Sequence, residues 1–285
     1  MNFVSRWLSK FVPPRVVEKP VFVPVYHSTL LSGHVALVTG GTRGIGNAIA
    51  RAVLDSGGAC VITGRNVDAV ARCVEQLRSR GPGAVYGIDL EMQDDASFSE
   101  KYARIVEMTG GIDILVNNAG LLNFARFGVT TREDFDAVLH SNLRGAYMLS
   151  QIVAADWIEK GVKGSILNVC SSSSVRPANS PYSLSKWALR GMTPGLAKVL
   201  APYGITVNGI APGPTATVGF VGENNATMAR PQMPSGRLIA EEEIANLAVV
   251  LVSPMGRMVM GDVLYVTAGC GILTQDDCRF PFGKR

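Results

Sequence analysis

Short apolar runs rich in β-branched residues recur along this chain, and a stretch with helical spacing follows most of them. The runs occupy 35–40, 59–65, 84–89, 112–120, 165–170, 205–213 and 262–269. They are apolar on both faces, which is typical of parallel strands that helices cover on both sides. The alternation predicts an α/β fold, a single doubly wound Rossmann-type domain of about seven parallel strands with helices on both faces. A ligand would bind beyond the carboxyl ends of the strands.

The first and last residues of the chain depart from this alternation. Residues 1–32 are predicted to form an N-terminal arm, an amphipathic helix followed by an extended proline-rich segment. The arm is expected to pack on its own or a neighbouring subunit, and a helix on a membrane surface is the alternative. The domain spans 33–272, with a lid at about 214–240 that mixes Gly, Asn, Met and Pro without clear periodicity. Residues 273–285 form a C-terminal tail.

Composition excludes several classes of function. The net charge is +4 over 285 residues without long runs of one sign, so no nucleic-acid surface is expected. The five cysteines show no CxxC pair and no metal-like spacing with the three histidines, which predicts reduced thiols in the cytoplasm and no metal. Arg6 and Lys10 interrupt the apolar run that a signal peptide needs.

A glycine-rich turn follows the first strand and opens the first helix. Glycines there let the chain turn sharply and let a pyrophosphate approach the backbone N–H groups at the start of the helix. The predicted cofactor-binding residues of this turn are Gly40, Thr42, Arg43, Gly44, Ile45 and Gly46.

The spacing of this turn, TGxxxGxG, resembles the glycine motif of the classical short-chain dehydrogenase/reductase family. Three further motifs extend the resemblance: Asn117-Asn118-Ala119-Gly120, Tyr182 and Lys186 as YxxxK, and Pro212-Gly213. The resemblance covers about residues 33–272. It implies a small-molecule carbonyl or alcohol substrate and a homotetramer or dimer formed through the long helices.

The end of the second strand indicates which nicotinamide cofactor is bound. Selectivity for NAD normally needs a carboxylate there, and this chain has Thr63-Gly64-Arg65-Asn66 instead. Arg65 and Arg43 could bracket the 2′-phosphate of NADP(H), because guanidinium donors match two phosphate oxygens. The family resemblance adds further cofactor-binding residues: Asp89, Leu90, Asn117, Ala119, Gly120, Tyr182, Lys186, Pro212, Gly213, Thr215 and Thr217.

Tyr182 and Lys186 are four residues apart at the start of a predicted helix, so their side chains emerge on the same face. An ammonium group near a phenol stabilises the phenolate form. Tyr182 can then give a proton to a carbonyl oxygen as hydride arrives, or take one from an alcohol.

The family site also contains a serine after the fifth strand and an asparagine. The run Asn168-Val169-Cys170-Ser171 selects Ser171, although the spacing back from Tyr182 is two residues short, so Ser172 or Ser173 is the alternative. Asn142 matches the family's catalytic asparagine, which anchors a water in a proton relay, and this role is compatible with a hydrogen bond at a helix kink.

These residues predict an NADP(H)-dependent oxidoreductase that moves a hydride between nicotinamide and a carbonyl or secondary alcohol. A 3-oxoacyl-carrier-protein reductase is the more specific alternative. A non-catalytic NADP-binding regulator on the same fold is a second alternative, and epimerase or dehydratase chemistry is a third.

Overall fold

The computed structural model describes residues 23, 27–81, 83–123, 125–217, 227–231 and 233–270. The helix and most of the extended segment predicted for the N-terminal arm lie outside the described residues. So do the middle of the predicted lid, 218–226, and the predicted C-terminal tail, 273–285. None of the helices in the described part of the chain is long and apolar enough to cross a membrane.

Seven strands form one sheet. They are β1 (Val35–Val38), β2 (Ala59–Gly64), β3 (Val85–Asp89), β4 (Ile114–Asn117), β5 (Ser165–Val169), β6 (Thr206–Pro212) and β7 (Val263–Val266). All neighbouring pairs are parallel, in the order β3-β2-β1-β4-β5-β6-β7. The order reverses between β1 and β4, and a crevice for ligands forms at such a reversal.

Seven α-helices connect or follow the strands. They are α1 (Gly44–Asp55), α2 (Val67–Leu77), α3 (Phe98–Thr109), α4 (Arg132–Leu139), α5 (Gly145–Lys160), α6 (Pro181–Leu200) and α7 (Glu241–Val252) among the described residues. A five-residue π turn, His140–Arg144, joins α4 to α5. The predicted α/β class with a parallel sheet is confirmed, and the elements begin and end within a few residues of their predicted bounds.

Helices cover both faces of the sheet because neighbouring strand residues point to opposite faces. Ala36 and Val38 pack with α1, α2 and α7 in one core. Leu37, between them, packs with α3, α5 and α6 in the other. Trp157 of α5 is fully buried in this second core, and its ring N–H donates a 2.6 Å hydrogen bond to the Ile112 carbonyl.

The domain begins a few residues earlier than the sequence pattern indicates. Leu31, assigned to the arm, is fully buried in the core that α1 lines. The backbone N–H groups of Ser28 and Leu31 donate hydrogen bonds to the carbonyls of Asp55 and Ser56 at the end of α1. The segment 28–32 therefore packs as part of the domain.

Candidate active site

A cleft of about 1180 Å³ runs along the carboxyl ends of the strands. Its walls come from the segments that follow β1 to β4 and from the last residues and following segments of β5 and β6. Most of the predicted site residues lie in this cleft, because ligands of a doubly wound sheet bind beyond the carboxyl ends of its strands.

The glycine turn after β1 opens onto this cleft. Gly40 and Gly44 have φ angles of 63° and 61°, in the left-handed region that favours glycine. A Cβ atom on Gly40 would lie 2.9 Å from the Cα of Ala119, so the turn packs tightly against the segment after β4. Only a residue without a side chain fits at this contact.

The N-terminus of α1 is available to an anion. No side chain caps it, and its first turn has no acidic residue. In contrast, Asn66, Thr131 and Ser180 cap α2, α4 and α6 through their side chains. The first N–H groups of α1 and the positive end of its dipole thus face the cleft, and no side chain among the described residues caps them.

Thr39 and Asn118 hold the glycine turn in place. The Thr39 hydroxyl oxygen accepts hydrogen bonds of 3.0 Å from the backbone N–H groups of Asn118 and Ala119. The Asn118 side chain donates to the carbonyls of Thr39 and Gly40, at 2.9 and 3.1 Å. Neither residue is among the predicted site residues, although Thr39 begins the TGxxxGxG motif and Asn118 stands beside Asn117 in the second motif.

Most of the predicted cofactor residues line the cleft. They are Gly40, Thr42, Arg43, Gly44, Ile45, Arg65, Leu90, Ala119, Gly120, Tyr182, Lys186, Pro212, Gly213, Thr215 and Thr217. Gly46, Asp89 and Asn117 are not among the lining residues. Gly46 serves close packing instead, because a Cβ atom there would lie 2.3 Å from the Asn118 amide nitrogen.

Asn117 belongs to a buried polar network between strands and helices. Its side-chain amide donates 2.9 Å hydrogen bonds to Ser150 Oγ and Asn168 Oδ1. Asn168 in turn donates to the Thr193 hydroxyl. The network connects β4 and β5 to α5 and α6, so Asn117 supports the floor of the cleft.

Asp89 points away from the cleft toward α3. Its carboxylate accepts a 2.7 Å hydrogen bond from the Lys101 ammonium, and this bond lowers the pKa of Asp89 below its ordinary value. The adjoining Leu90 and Glu91 line the cleft. The Glu91 carboxylate oxygen lies 3.7 Å from the Arg65 Nε, so the predicted phosphate-binding arginine has an acidic neighbour.

Tyr182 and Lys186 lie in the first turns of α6. Ser180 caps this helix by accepting a hydrogen bond from the Ser183 N–H, and Pro181 occupies the first helical residue, where its missing N–H costs nothing. The Lys186 ammonium lies 5.9 Å from the centre of the Tyr182 ring. It is 5% exposed and donates a 2.8 Å hydrogen bond to the Val169 carbonyl.

The run of serines folds into a compact turn after β5. Ser171 is extended and begins a short 3₁₀ helix, Ser172–Val175, and its Oγ accepts a hydrogen bond from the Ser173 N–H. The Ser174 hydroxyl donates to the Ser171 carbonyl and is fully buried. Ser171, Ser172 and Ser173 all line the cleft, and Ser174 does not.

Asn142 lies in the π turn and connects two parts of the site. Its Oδ1 accepts a 2.6 Å hydrogen bond from the Leu121 N–H, and its Nδ2 donates to the Leu121 carbonyl and to Ser185 Oγ on α6. It is 1% exposed and does not line the cleft, unlike its neighbour Ser141. This geometry matches the hydrogen bond at a helix irregularity.

Cys170 also lines the cleft, between Val169 and Ser171. Burial raises the pKa of the Cys170 thiol to about 11. The thiol is therefore neutral at physiological pH, and a neutral thiol is a poor nucleophile.

Comparison with known proteins shows the family to which this chain belongs. A family model described as short chain dehydrogenase matches residues 34–228. The chain is 33% identical to the 3-oxoacyl-(acyl-carrier-protein) reductase FabG of Aquifex aeolicus, over 84% of this chain and 98% of that protein. It is 34% identical to gluconate 5-dehydrogenase of Gluconobacter oxydans, over 84% of this chain and 95% of that protein.

A solved structure extends the comparison to three dimensions. The crystal structure of a gluconate 5-dehydrogenase from Burkholderia cenocepacia, in complex with NADP and tartrate, matches with a TM-score of 0.78 at 32% identity. The match covers 87% of this chain and 99% of that one. The chain therefore belongs to the short chain dehydrogenase family of oxidoreductases, which act on CH–OH and C=O groups.

Proposed function

We propose that this protein is an NADP(H)-dependent oxidoreductase that interconverts a carbonyl compound and its secondary alcohol, with Tyr182 as the general acid and base. The observation that carries the proposal is the arrangement at the start of α6. Tyr182 and Lys186 share one helix face, both line the cleft, and a hydrogen bond to Val169 anchors Lys186 at the end of β5.

The described residues fit a dinucleotide. The uncapped N-terminus of α1 and the glycine turn before it suit a pyrophosphate, because both offer unsatisfied N–H groups without a side chain in the way. Pro212, Gly213, Thr215 and Thr217 line the far side of the same cleft. When bound, the nicotinamide supplies or accepts the hydride.

In the reductive direction, Tyr182 Oη donates its proton to the substrate oxygen as the carbonyl carbon receives the hydride. The C=O double bond becomes a C–O single bond, while a new C–H bond forms at carbon and a new O–H bond at oxygen. Ser171 donates a hydrogen bond to the same oxygen and holds it near Tyr182. The Lys186 ammonium stabilises the negative charge left on Tyr182 Oη, and its burial strengthens that interaction. Asn142 holds the segment after Gly120 against α6 and so positions the wall of the site.

Preference for NADP(H) rests on charge at the adenosine end of the cleft. Arg43 and Arg65 both line it, and β2 ends in Thr63 and Gly64 rather than in a carboxylate. A 2′-phosphate would meet two guanidinium groups there. The Glu91 carboxylate lies beside Arg65 and weakens the positive potential there. The two arginines still leave this end of the cleft with a net positive charge.

A 3-oxoacyl-carrier-protein reductase activity is the second candidate, because a relative with that activity matches over nearly its whole length. A panel of ketones, β-ketoacyl thioesters and polyols, each with NADPH and with NADH, tests both. We expect reduction of at least one carbonyl class with NADPH preferred. NADPH binding without turnover of any member would instead indicate a non-catalytic regulator.

The protein is also proposed to act in the cytoplasm as a homotetramer or dimer. Cys60, Cys73 and Cys170 are buried thiols that form no disulfide. Apolar side chains on the outer faces of α5 and α6 are partly exposed, among them Tyr147, Ile158, Leu184 and Trp187. We propose that these side chains are covered in a subunit contact. Analytical ultracentrifugation that shows only monomers would contradict this assembly.

A further inference from the structure

Two arginines that no motif marks line the cleft. Arg126 lies on the segment that follows β4, and Arg176 lies on the segment that follows β5. They share the cleft wall with Ser171–Ser173 and Tyr182, whereas Arg43 and Arg65 stand at the adenosine end. Both arginines are exposed, so their guanidinium groups are open to a ligand in the cleft.

The segments that carry these arginines are attached to each other and to α6. The Phe127 N–H donates a 2.9 Å hydrogen bond to the carbonyl of Asn179, three residues before Tyr182. The Trp187 ring N–H, on α6, donates a 2.7 Å hydrogen bond to the Arg176 carbonyl. Both arginines therefore start from backbone that is fixed relative to the catalytic helix.

Their charges are not neutralised within the described chain. Arg51, Arg80, Arg144 and Arg237 each form an ion pair with an aspartate or glutamate. The Arg126 guanidinium has no partner among the described residues. The Arg176 guanidinium donates to the Cys270 carbonyl, a neutral group, and keeps further N–H donors.

The substrate half of the cleft is cationic as a result. Glu91 is the one carboxylate among the described lining residues, and it lies beside Arg65 at the adenosine end. Asp134, near Arg126 in sequence, accepts a hydrogen bond from Asn123 and does not line the cleft. Arg126, Arg176 and Lys186 thus have no acidic counterpart on this side.

We infer that the substrate is an oxoacid or hydroxyacid whose carboxylate is bound by Arg126 and Arg176 while its carbonyl or hydroxyl faces Tyr182. The planar fork of a guanidinium matches the two oxygens of a carboxylate. Arg126 contributes more than Arg176, because the Arg176 guanidinium already donates a hydrogen bond to the Cys270 carbonyl. The inference rests on the proposed function and adds the chemical class of the substrate.

The test compares acids with their neutral esters. Straight-chain oxoacids, in which the carbonyl moves stepwise away from the carboxylate, are assayed with NADPH beside their methyl esters. For the best spacing we expect kcat/KM of the acid to exceed that of the ester by roughly 10-fold or more. Acetoacetyl-coenzyme A and its neutral N-acetylcysteamine thioester form a second pair, which distinguishes a phosphate-bearing carrier from a small carboxylate.

Variants show whether the arginines cause the preference. Arg126→Gln should lower kcat/KM for the acid roughly 10- to 30-fold and Arg176→Gln roughly 3- to 10-fold, with the ester unchanged. Arg126→Lys should restore part of the loss. Arg132→Gln, at the exposed first residue of α4 and outside the cleft, is the matched control and should leave both substrates unchanged.

Binding is measured separately from turnover, by the fluorescence of enzyme-bound NADPH during titration with each acid and ester. Acids that bind through Arg126 but are not reduced would support the carboxylate site and contradict the proposed function. Esters reduced as well as acids, or an acid preference that survives both substitutions, would overturn the inference and leave the proposed function intact. A preference confined to the coenzyme A thioester would overturn it too.

Discussion

The Lys186 ammonium donates a 2.8 Å hydrogen bond to the carbonyl of Val169, the last residue of β5. Lys186 is 5% exposed and has no acidic partner among the described residues. Because the hydrogen-bond partner of this nearly buried cation is a neutral carbonyl, its positive charge is not neutralised and acts on the groups around it. The centre of the Tyr182 ring lies 5.9 Å from the ammonium, within reach of its charge. The hydrogen bond to Val169 also holds α6 against the carboxyl end of β5, where the cleft opens.

Replacing Lys186 by glutamine tests the contribution of its positive charge apart from that of its hydrogen bond to Val169. Lys186→Gln keeps an N–H donor for Val169 but removes the positive charge. We expect kcat to fall about 100- to 1000-fold, because the phenolate loses its stabilising charge. Lys160→Gln, which removes an exposed lysine paired with Asp156, is the control and should keep wild-type kcat. Wild-type turnover of Lys186→Gln in steady-state assays would contradict the role.

The serine turn allows the catalytic hydroxyl to be identified. Ser171→Ala should lower kcat about 100-fold, since the substrate oxygen loses one donor. Ser173→Ala should change kcat little, because Ser173 contacts Ser171 through its backbone N–H, which the substitution keeps. Both are measured with saturating NADPH. The reverse pattern would assign the role to Ser173.

Cofactor preference should respond to both members of the Arg65 and Glu91 pair. Arg65→Ala should lower the ratio of kcat/KM for NADPH over NADH about 10-fold, as the 2′-phosphate loses a charged donor at an exposed residue. Glu91→Gln should raise that ratio about 2-fold, because it removes the competing charge. An unchanged ratio in Arg65→Ala would show that Arg65 does not bind the phosphate.

Glu243 gives a pH dependence of stability. Both Arg237 terminal nitrogens bind its carboxylate, at 2.6 and 2.8 Å, and the Ala240 N–H donates to it as well. The Arg237 bond lowers the pKa of Glu243 below its ordinary value. The stabilisation is therefore complete above the unfolded-state value of about 4.3 and disappears as the pH falls through the lower folded-state value.

Glu243→Gln isolates this contribution. We expect the variant to lose about 1 kcal/mol of unfolding free energy at neutral pH. The difference from the wild type should shrink in acid, once Glu243 is protonated in both states. Chemical denaturation at neutral and acid pH measures it, and a deficit that grows on acidification would contradict the sign. Glu75→Gln, whose side chain is mostly exposed in its pair with Arg78, is the control and should show almost no deficit.

The fold could be predicted from sequence because its signals are local. Apolar runs with β-branched residues, glycine turns and helical spacing each depend on neighbouring residues only. The glycine turn and the pair Tyr182 and Lys186 are likewise short motifs, and the structure brings them to one cleft. The separate roles of Asn117 and Asn118, in contrast, could not be predicted from local sequence. They depend on where β4 ends and on which face each side chain points to, and a run predicted at 112–120 does not fix either.

The substrate side of the cleft could not be predicted for a related reason. Arg126 and Arg176 lie on irregular segments far apart in sequence, and neither segment has a period that indicates a face. They meet through the hydrogen bond between Phe127 and Asn179, which is a tertiary contact. The choice among Ser171, Ser172 and Ser173 also depends on how the 3₁₀ turn folds, and spacing alone left it open.

The central claim is that the phenol of Tyr182 carries the proton, and Tyr182→Phe tests it most directly. The substitution removes one oxygen atom and keeps the ring beside Lys186; Tyr147→Phe, on the outer face of α5, is the matched control. Steady-state turnover and NADPH affinity are measured on the same preparations. We expect kcat of Tyr182→Phe to fall about 1000-fold or more, with NADPH affinity within about 2-fold of wild type and Tyr147→Phe fully active. Turnover of Tyr182→Phe within about 10-fold of wild type would contradict the account.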